Sequence, residues 1–356
     1  MSATVVLATG GTGGHIYPAL ALAGRLQQHG VNVVLIGAEG GLEQTLSHDA
    51  GVSFIGVRSG KLDRQKPNPA ELFRAVQGVV QARGHLKRLK ADLVIGFGGF
   101  ASLPAVAAAA LTRTPLWLNE QNAWPGLVTR LFAGRAELVI TSVAAAGKRI
   151  KSDRQVHIPY PVDERRPDRA AARAALGLPQ EGTVALVMGG SQGSVALNDA
   201  VIKALAELGD EAPHTLHVTG PNNLEDVRRQ HTGNPRHQLA GYVDGVLAFA
   251  AVDMALTRSG TGTLSMAAFH GVPLIMVPLP TSAENHQHHN ALSLHEAGAG
   301  VLLPQVELDR LADEWRALLQ PARLAAARAA IRAFSPSGAL DEFTDAVMKR
   351  LENGTA

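Results

Sequence analysis

The feature that most limits how this chain can fold occurs twice. A short, apolar, β-branched run empties into a glycine cluster and then into a helical segment. Thr4–Ala8 leads into Gly10-Gly11-Thr12-Gly13-Gly14-His15, and residues 183–188 lead into Gly189-Gly190-Ser191-Gln192-Gly193. Runs of this length that are apolar on both faces read as buried strands, and a glycine turn feeding a helix is how a parallel α/β unit begins. Further strands are predicted at 31–36, 92–96, 116–118 and Leu138–Thr141, then at 215–219, 254–256 and 274–277. Helices are predicted at 18–29, from Ala196 onward, and at 340–351. The expected fold class is α/β, with two Rossmann-like open parallel-sheet domains facing each other across a cleft. Their expected limits are 1–160 and 161–336. The last helix, within 337–356 and beyond the breaker Ser335-Pro336-Ser337-Gly338, is assigned back to the first domain.

Composition narrows the chemistry. The chain has no cysteine, which excludes disulfides, thiolate–zinc sites and cysteine nucleophiles. A formal net charge of +2 gives no nucleic-acid signature. The first apolar run is too short for a signal-peptide core. The alanine-rich stretch 103–111 stops at Thr112-Arg113, well short of the ~20 apolar residues of a membrane span. A cytoplasmic protein is the expectation.

The glycine loops carry the functional signal. A loop between a parallel strand and a helix N-terminus gathers backbone N–H groups and the positive end of a helix dipole, and glycine lets a phosphate approach closely. Three such loops occur, at 10–14, 96–99 and 189–193. The dinucleotide pattern G-x-G-x-x-G fails because Ile16 stands at its last position, and no loop continues into the Walker Lys-[Ser/Thr]. Nucleotide sugars are the commonest remaining diphosphate ligands.

Taken in order, Gly10 to His15, Gly96-Phe97-Gly98-Gly99-Phe100, Asn119-Glu120-Gln121-Asn122, Gly189 to Gly193 and Arg258-Ser259-Gly260 resemble one family. It is the family of bacterial N-acetylglucosaminyltransferases that complete lipid II. The resemblance implies a GT-B fold and inverting transfer of GlcNAc from UDP-GlcNAc to the 4-hydroxyl of MurNAc in lipid I. It also implies peripheral attachment to the cytoplasmic face of the cell membrane, no cofactor, and cell-wall synthesis and division proteins as partners. Carried over by position, Thr12, Gly13 and Gly14 approach the donor's sugar and diphosphate, Asn122 holds the sugar, and Ser191 bonds a phosphate. The backbone at Val243 reads uracil. Thr261, Gly262, Thr263, Leu264, Ser265 and Met266 run along ribose and diphosphate, and Gln287 holds GlcNAc hydroxyls. Two positions depart from the family. Met266 replaces a ribose-gripping glutamate, which shifts that task toward Thr263, Ser265 or a loop. Asp163 replaces an arginine near the diphosphate, with Arg165 or Arg166 as substitutes.

His15 and Glu120 are the candidate catalytic groups. A histidine at a helix start has a pKa suited to proton transfer. Glu120 is either a rival base or a buried carboxylate bound to neighbouring amides. Glu284, His286, His288 and His289 lack the i, i+4 spacing of a helical zinc pair, so no metal is expected. Between Lys61 and Lys90, the basic residues Lys61, Arg64, Lys66, Arg74, Arg83, Lys87, Arg88 and Lys90 accompany Leu72, Phe73, Val76, Val79 and Val80 at helical spacing. This stretch is a candidate patch for anionic lipid, with Val76, Val79 and Val80 expected to pack on the sheet. A UDP-GlcNAc 2-epimerase and a non-catalytic nucleotide-sugar binder are the alternative functions.

Overall fold

The computed structural model describes residues 2–60, 68–230 and 233–354. Two compact units emerge, one of Met1–Pro161 with Gly338–Ala356 and one of Val162–Ser337. In the first, among the described residues, strands β1 (Thr4–Ala8), β2 (Asn32–Ala38), β3 (Ser53–Val57), β4 (Leu93–Gly96), β5 (Leu116–Glu120), β6 (Leu138–Thr141) and β7 (Gln155–His157) form one sheet. It is parallel throughout, in the order β3-β2-β1-β4-β5-β6-β7. The order reverses between β1 and β4, where Ala8 pairs with Gly96. The connections that follow these two strands therefore turn to opposite faces of the sheet.

The second unit repeats this plan with β8 (Val184–Met188), β9 (His214–Val218), β10 (His237–Ala240), β11 (Met254–Thr257), β12 (Leu274–Met276) and β13 (Gly300–Leu302). Its order is β10-β9-β8-β11-β12-β13, again parallel, with the reversal between β8 and β11. The glycine loop 189–193 and the segment Arg258–Gly260 stand at that point.

In the first unit the helices are α1 (Gly13–Gln28), α2 (Leu42–Asp49), α3 (Pro69–Leu89), α4 (Leu103–Thr112), α5 (Leu127–Phe132) and α6 (Ala144–Gly147). The second unit has α7 (Arg169–Ala175), α8 (Val195–Leu208), α9 (Leu224–Gln230), α10 (Gly245–Ala251), α11 (Thr261–His270), α12 (His286–Glu296), α13 (Leu311–Leu318) and α14 (Pro321–Arg332). The last helix, α15 (Ala339–Gly354), lies along α1. Its Phe343 is fully buried and stacks on Phe97 at 5.9 Å, a burial worth about 2–3 kcal/mol.

Two expectations needed correction. Helix α1 begins at Gly13, not at residue 18, with Pro18 inside it. A proline there lacks the N–H that would reach back four residues to Gly14. The hydroxyl of Tyr160 donates to that carbonyl instead, at 3.1 Å, so the helix can run through the proline. On α3, Val76 and Val80 do not pack on the sheet; they are 54% and 67% exposed, as are Leu72 and Phe73 at 57% and 63%. The buried face is Ala75, Gly78, Ala82 and Leu86. A Cβ at Gly78 would lie 1.8 Å from the carbonyl oxygen of Arg58 and 3.1 Å from Pro104. Close approach to α4 selects the small stripe and turns the larger side chains outward. Val79 is partly buried against the core. Arg83 and Lys87 continue the exposed face toward the helix C-terminus. Lys61, Arg64 and Lys66 lie outside the described residues.

Candidate active site

In the first unit, β1 and β4 deliver their glycine loops side by side. Gly10 and Gly11 have φ of 148° and 89°, and Gly98 and Gly99 have 84° and 75°. A Cβ on Gly99 would meet the Gly10 carbonyl oxygen at 2.2 Å and the His15 ring at 3.3 Å, and one on Gly98 would meet that ring at 3.3 Å. These glycines thus clear the space that the imidazole fills. His15 stands in the first turn of α1, and its Nδ1 donates to Gln121 Oε1 at 2.7 Å. Burial pulls its pKa below 6.5, opposed in part by the bonds to Gln121 and to the Phe97 backbone.

Beneath the loop lies a residue that sequence reasoning missed. Glu43, in the first turn of α2, is 1% exposed. Its carboxylate accepts from Ala38 N at 2.8 Å and from Gly11 N at 3.3 Å. The Gly11 amide is thus already committed to an internal anion, so this loop is not a vacant phosphate nest. The one available signal was a lone acidic residue near a second glycine cluster, Gly40-Gly41.

Glu120 takes the blander of its two readings. One oxygen accepts from Gly126 N at 2.9 Å and Thr129 Oγ1 at 2.7 Å, the other from Asn122 N at 3.1 Å. It is 5% exposed, and burial raises its pKa against those bonds. Its geometry is that of a carboxylate that folds the 121–129 loop, not of a base open to an acceptor. The Asn122 side chain also bonds to Glu120, so the candidate sugar contact is anchored by it. Thr12 caps α1 without a side-chain bond, and Thr12 and Gly14 are exposed.

In the second unit, Gly190 and Gly193 have φ of 93° and 73°. Ser191 is exposed at the loop tip. Ser194 caps α8 by accepting from Leu197 N at 3.4 Å. Arg258, 8% exposed, braces this corner. It donates to Ser194 Oγ and Gln305 Oε1, each at 2.7 Å, and to the carbonyls of Val277 and Pro278, each at 3.2 Å. Every one of these partners is neutral. Burial lowers its pKa, yet a guanidinium stays charged.

Helix α11 starts beside it at Gly260 with no side-chain cap. Gln287 Oε1 accepts from Ser259 N at 3.2 Å and Leu279 N at 2.9 Å. Those bonds fix its amide orientation. Asn290 donates to Thr261 Oγ1 at 3.1 Å. Gly262, Thr263 and Ser265 are partly exposed. Leu264, expected along the ligand, is instead 6% exposed in the apolar core, so only its backbone can contribute. Met266 and Val243 both pack on the same core from its edge.

Neither proposed arginine substitute sits free at this corner. Arg165 Nε donates to Asp163 Oδ2 at 2.8 Å, and its Nη2 reaches Asp244 at 3.4 Å, so two carboxylates neutralise it. Arg166 lies over the Phe269 ring, 4.0 Å from its centroid. That is the far end of α11, ten residues long and therefore about 15 Å. His286, His288 and His289 lie in the first turn of α12, and Glu284 stands just before it in the left-handed region.

Residues 5–141 match the glycosyltransferase family 28 N-terminal domain, and residues 184–343 match its C-terminal domain. The chain belongs to glycosyltransferase family 28. Among family relatives, a Deinococcus deserti UDP-N-acetylglucosamine–N-acetylmuramyl-(pentapeptide) pyrophosphoryl-undecaprenol N-acetylglucosamine transferase is 42% identical, covering 98% of each chain. The Thermus thermophilus protein of the same description is 37% identical over 96% of this chain and 98% of its own. The crystal structure of Acinetobacter baumannii MurG superposes with a TM-score of 0.81 at 26% identity, covering 98% of this chain and 99% of that one. The fold is the two-sheet GT-B class, and the family 28 chain is a glycosyltransferase.

Proposed function

We propose that this chain transfers GlcNAc from UDP-GlcNAc, with inversion, to the 4-hydroxyl of MurNAc in lipid I, forming lipid II. The observation that carries the donor assignment is the corner at the β8/β11 reversal. There a buried arginine with only neutral partners stands beside an uncapped helix N-terminus. A buried cation without a counter-ion among the described residues and a helix dipole end both favour a diphosphate, in the substrate and more so as UDP departs. Arg258 supplies positive charge in place of the family's arginine at position 163, its terminal N–H groups being donated to Ser194, Gln305, Val277 and Pro278. Ser191 at the loop tip and the amide of Gly262 complete the grip. Gln287, with its oxygen fixed, presents its amide to GlcNAc hydroxyls. Thr263 lies one turn from Met266 on the same face of α11, so it and Ser265 hold the ribose where the glutamate is absent.

On the acceptor side His15 serves as general base. With Nδ1–H donated to Gln121, Nε2 carries the lone pair that takes the proton of the 4-hydroxyl. Glu120 acts through the 121–129 loop. Incubation with labelled UDP-GlcNAc and a short-chain lipid I analogue is expected to give transfer only when the acceptor is present. Conversion to UDP-ManNAc without acceptor, or donor binding without turnover, overturns the assignment.

The acceptor is anchored in a bilayer, and α3 offers the matching surface. Its exposed Leu72, Phe73, Val76 and Val80 lead into Arg83, Lys87 and Arg88. We assign this face to the cytoplasmic membrane surface, with the apolar side chains at the headgroup boundary and the basic ones on anionic lipid. Reversing Arg83, Lys87 and Arg88 to glutamate is expected to weaken pelleting with phosphatidylglycerol vesicles at least about tenfold at low salt, since each basic residue near such a surface is worth about 1 kcal/mol. Unchanged pelleting removes α3 from the membrane.

A further inference from the structure

The second unit contains a cavity distinct from the α11 N-terminus. Its volume is about 220 Å³, and Arg166, Arg169, Arg328, Arg332 and His270 supply its polar walls. Among the described residues, no acidic side chain lines it. It lies at the opposite end of the strands, beside the C-terminal end of α11 and the segment leading into β11, so it does not belong to the donor corner.

The charge balance there is uneven. Two carboxylates stand near the cavity: Asp253 is shared by Arg169, by Arg173 at 3.0 Å and by Arg328 at 3.3 Å, and Asp163, paired with Arg165, also acts on His270. Arg166 donates to Ser337 Oγ at 3.3 Å and stacks on Phe269. Neither it nor Arg332 has a carboxylate partner among the described residues. His270 Nε2 is buried with no hydrogen-bond partner. Burial and the Arg166 charge push its pKa down to about 4, so the ring is neutral at pH 7 and can still donate one N–H. Gly271 keeps the wall open: its φ is 67°, and a Cβ there would lie 2.8 Å from Arg332 Nε.

We infer that this arginine-walled cavity is a second anion site, built for a phosphate or phosphate monoester. Guanidinium forks match phosphate oxygens in pairs, and a concave wall of one sign concentrates counter-anions. The volume is several times the ~30 Å³ of one liquid water, which leaves room for a phosphate with part of its hydration. An anion seated there satisfies the unpaired His270 nitrogen and neutralises Arg166 and Arg332.

The test uses the full chain and inorganic phosphate, followed by calorimetry and by the His270 imidazole signals in NMR. Saturable binding is expected, with the His270 pKa raised, and the double variant R166S/R332S is expected to weaken it at least tenfold. His270→Phe, which removes the ring donor and keeps an aromatic side chain, is expected to weaken it severalfold and gives an independent check should the double variant lose its fold. A parallel flotation arm uses phosphatidic acid vesicles against phosphatidylcholine. If the double variant lowers vesicle binding as well, the phosphate belongs to a lipid headgroup; if only phosphate binding falls, the ligand is soluble. Phosphate that leaves the His270 signals unmoved, or that binds both variants as it binds the parent chain, overturns the site.

Discussion

Replacing His15 with alanine is expected to lower kcat by about 10²–10⁴-fold, the range for loss of a general base, while donor affinity changes by only a small factor. His15 belongs to the first unit, whereas the proposed diphosphate grip lies in the second, so the loss should fall on turnover. The pH profile supplies an independent check. A base works deprotonated, and burial holds the His15 pKa below 6.5, so activity should persist as pH falls through 6.5 and drop only below it. Gln121→Glu places a carboxylate against Nδ1, favours the imidazolium and should move that acid limb upward. A near-normal kcat in the alanine variant, or an acid limb indifferent to the charge at 121, would transfer the role to another group.

The other large effect is expected at Gly193. A Cβ there would meet the Thr219 carbonyl oxygen at 1.8 Å, with φ at 73°. That carbonyl cannot easily retreat, because it accepts from Asn198 Nδ2 at 3.1 Å and Asn223 Nδ2 at 3.0 Å. Asn198 is itself held by the buried His217, at 3.0 Å. Gly193→Ala therefore combines left-handed strain with a backbone collision, and a loss of about 3 kcal/mol or more is expected. The donor KM should rise more than tenfold as the loop shifts. Gly190→Ala is the control: its φ is 93° but a Cβ there meets open space, so only about 1–2 kcal/mol of backbone strain is expected. Urea titration and donor KM measured on both variants would separate the two cases; equal losses would show that packing against Thr219 is not the constraint.

Much of this fold was legible before any coordinates. β1 and β8 are short apolar runs, and burial on both faces leaves them no period other than that of a parallel strand. The loops at 10–14 and 189–193 were legible because glycine marks where a left-handed turn or a close approach is required. Other features could not be read from local pattern. Pro18 argued against a helix start at Gly13, and only the Tyr160 hydroxyl, 146 positions along the chain, resolves that conflict. Val76 and Val80 looked like a core stripe, but the tight fit of Gly78 against Arg58 and Pro104 gave that place to smaller residues. Glu120 and Arg166 carried chemistry-bearing side chains, yet one is consumed by its own loop and the other lies at the wrong end of α11. Glu43 gave almost no signal, although it fills the ground beneath the glycine loop.

The division has a physical basis. Strand period, helix period and turn chemistry are properties of neighbouring residues, so the sequence alone determined the two parallel-sheet units and their glycine loops. Whether a polar group is free to meet a substrate depends on which distant donor or acceptor reaches it first. His15 with Gln121, Gly11 with Glu43 and Gly14 with Tyr160 are pairings that only the tertiary structure could decide.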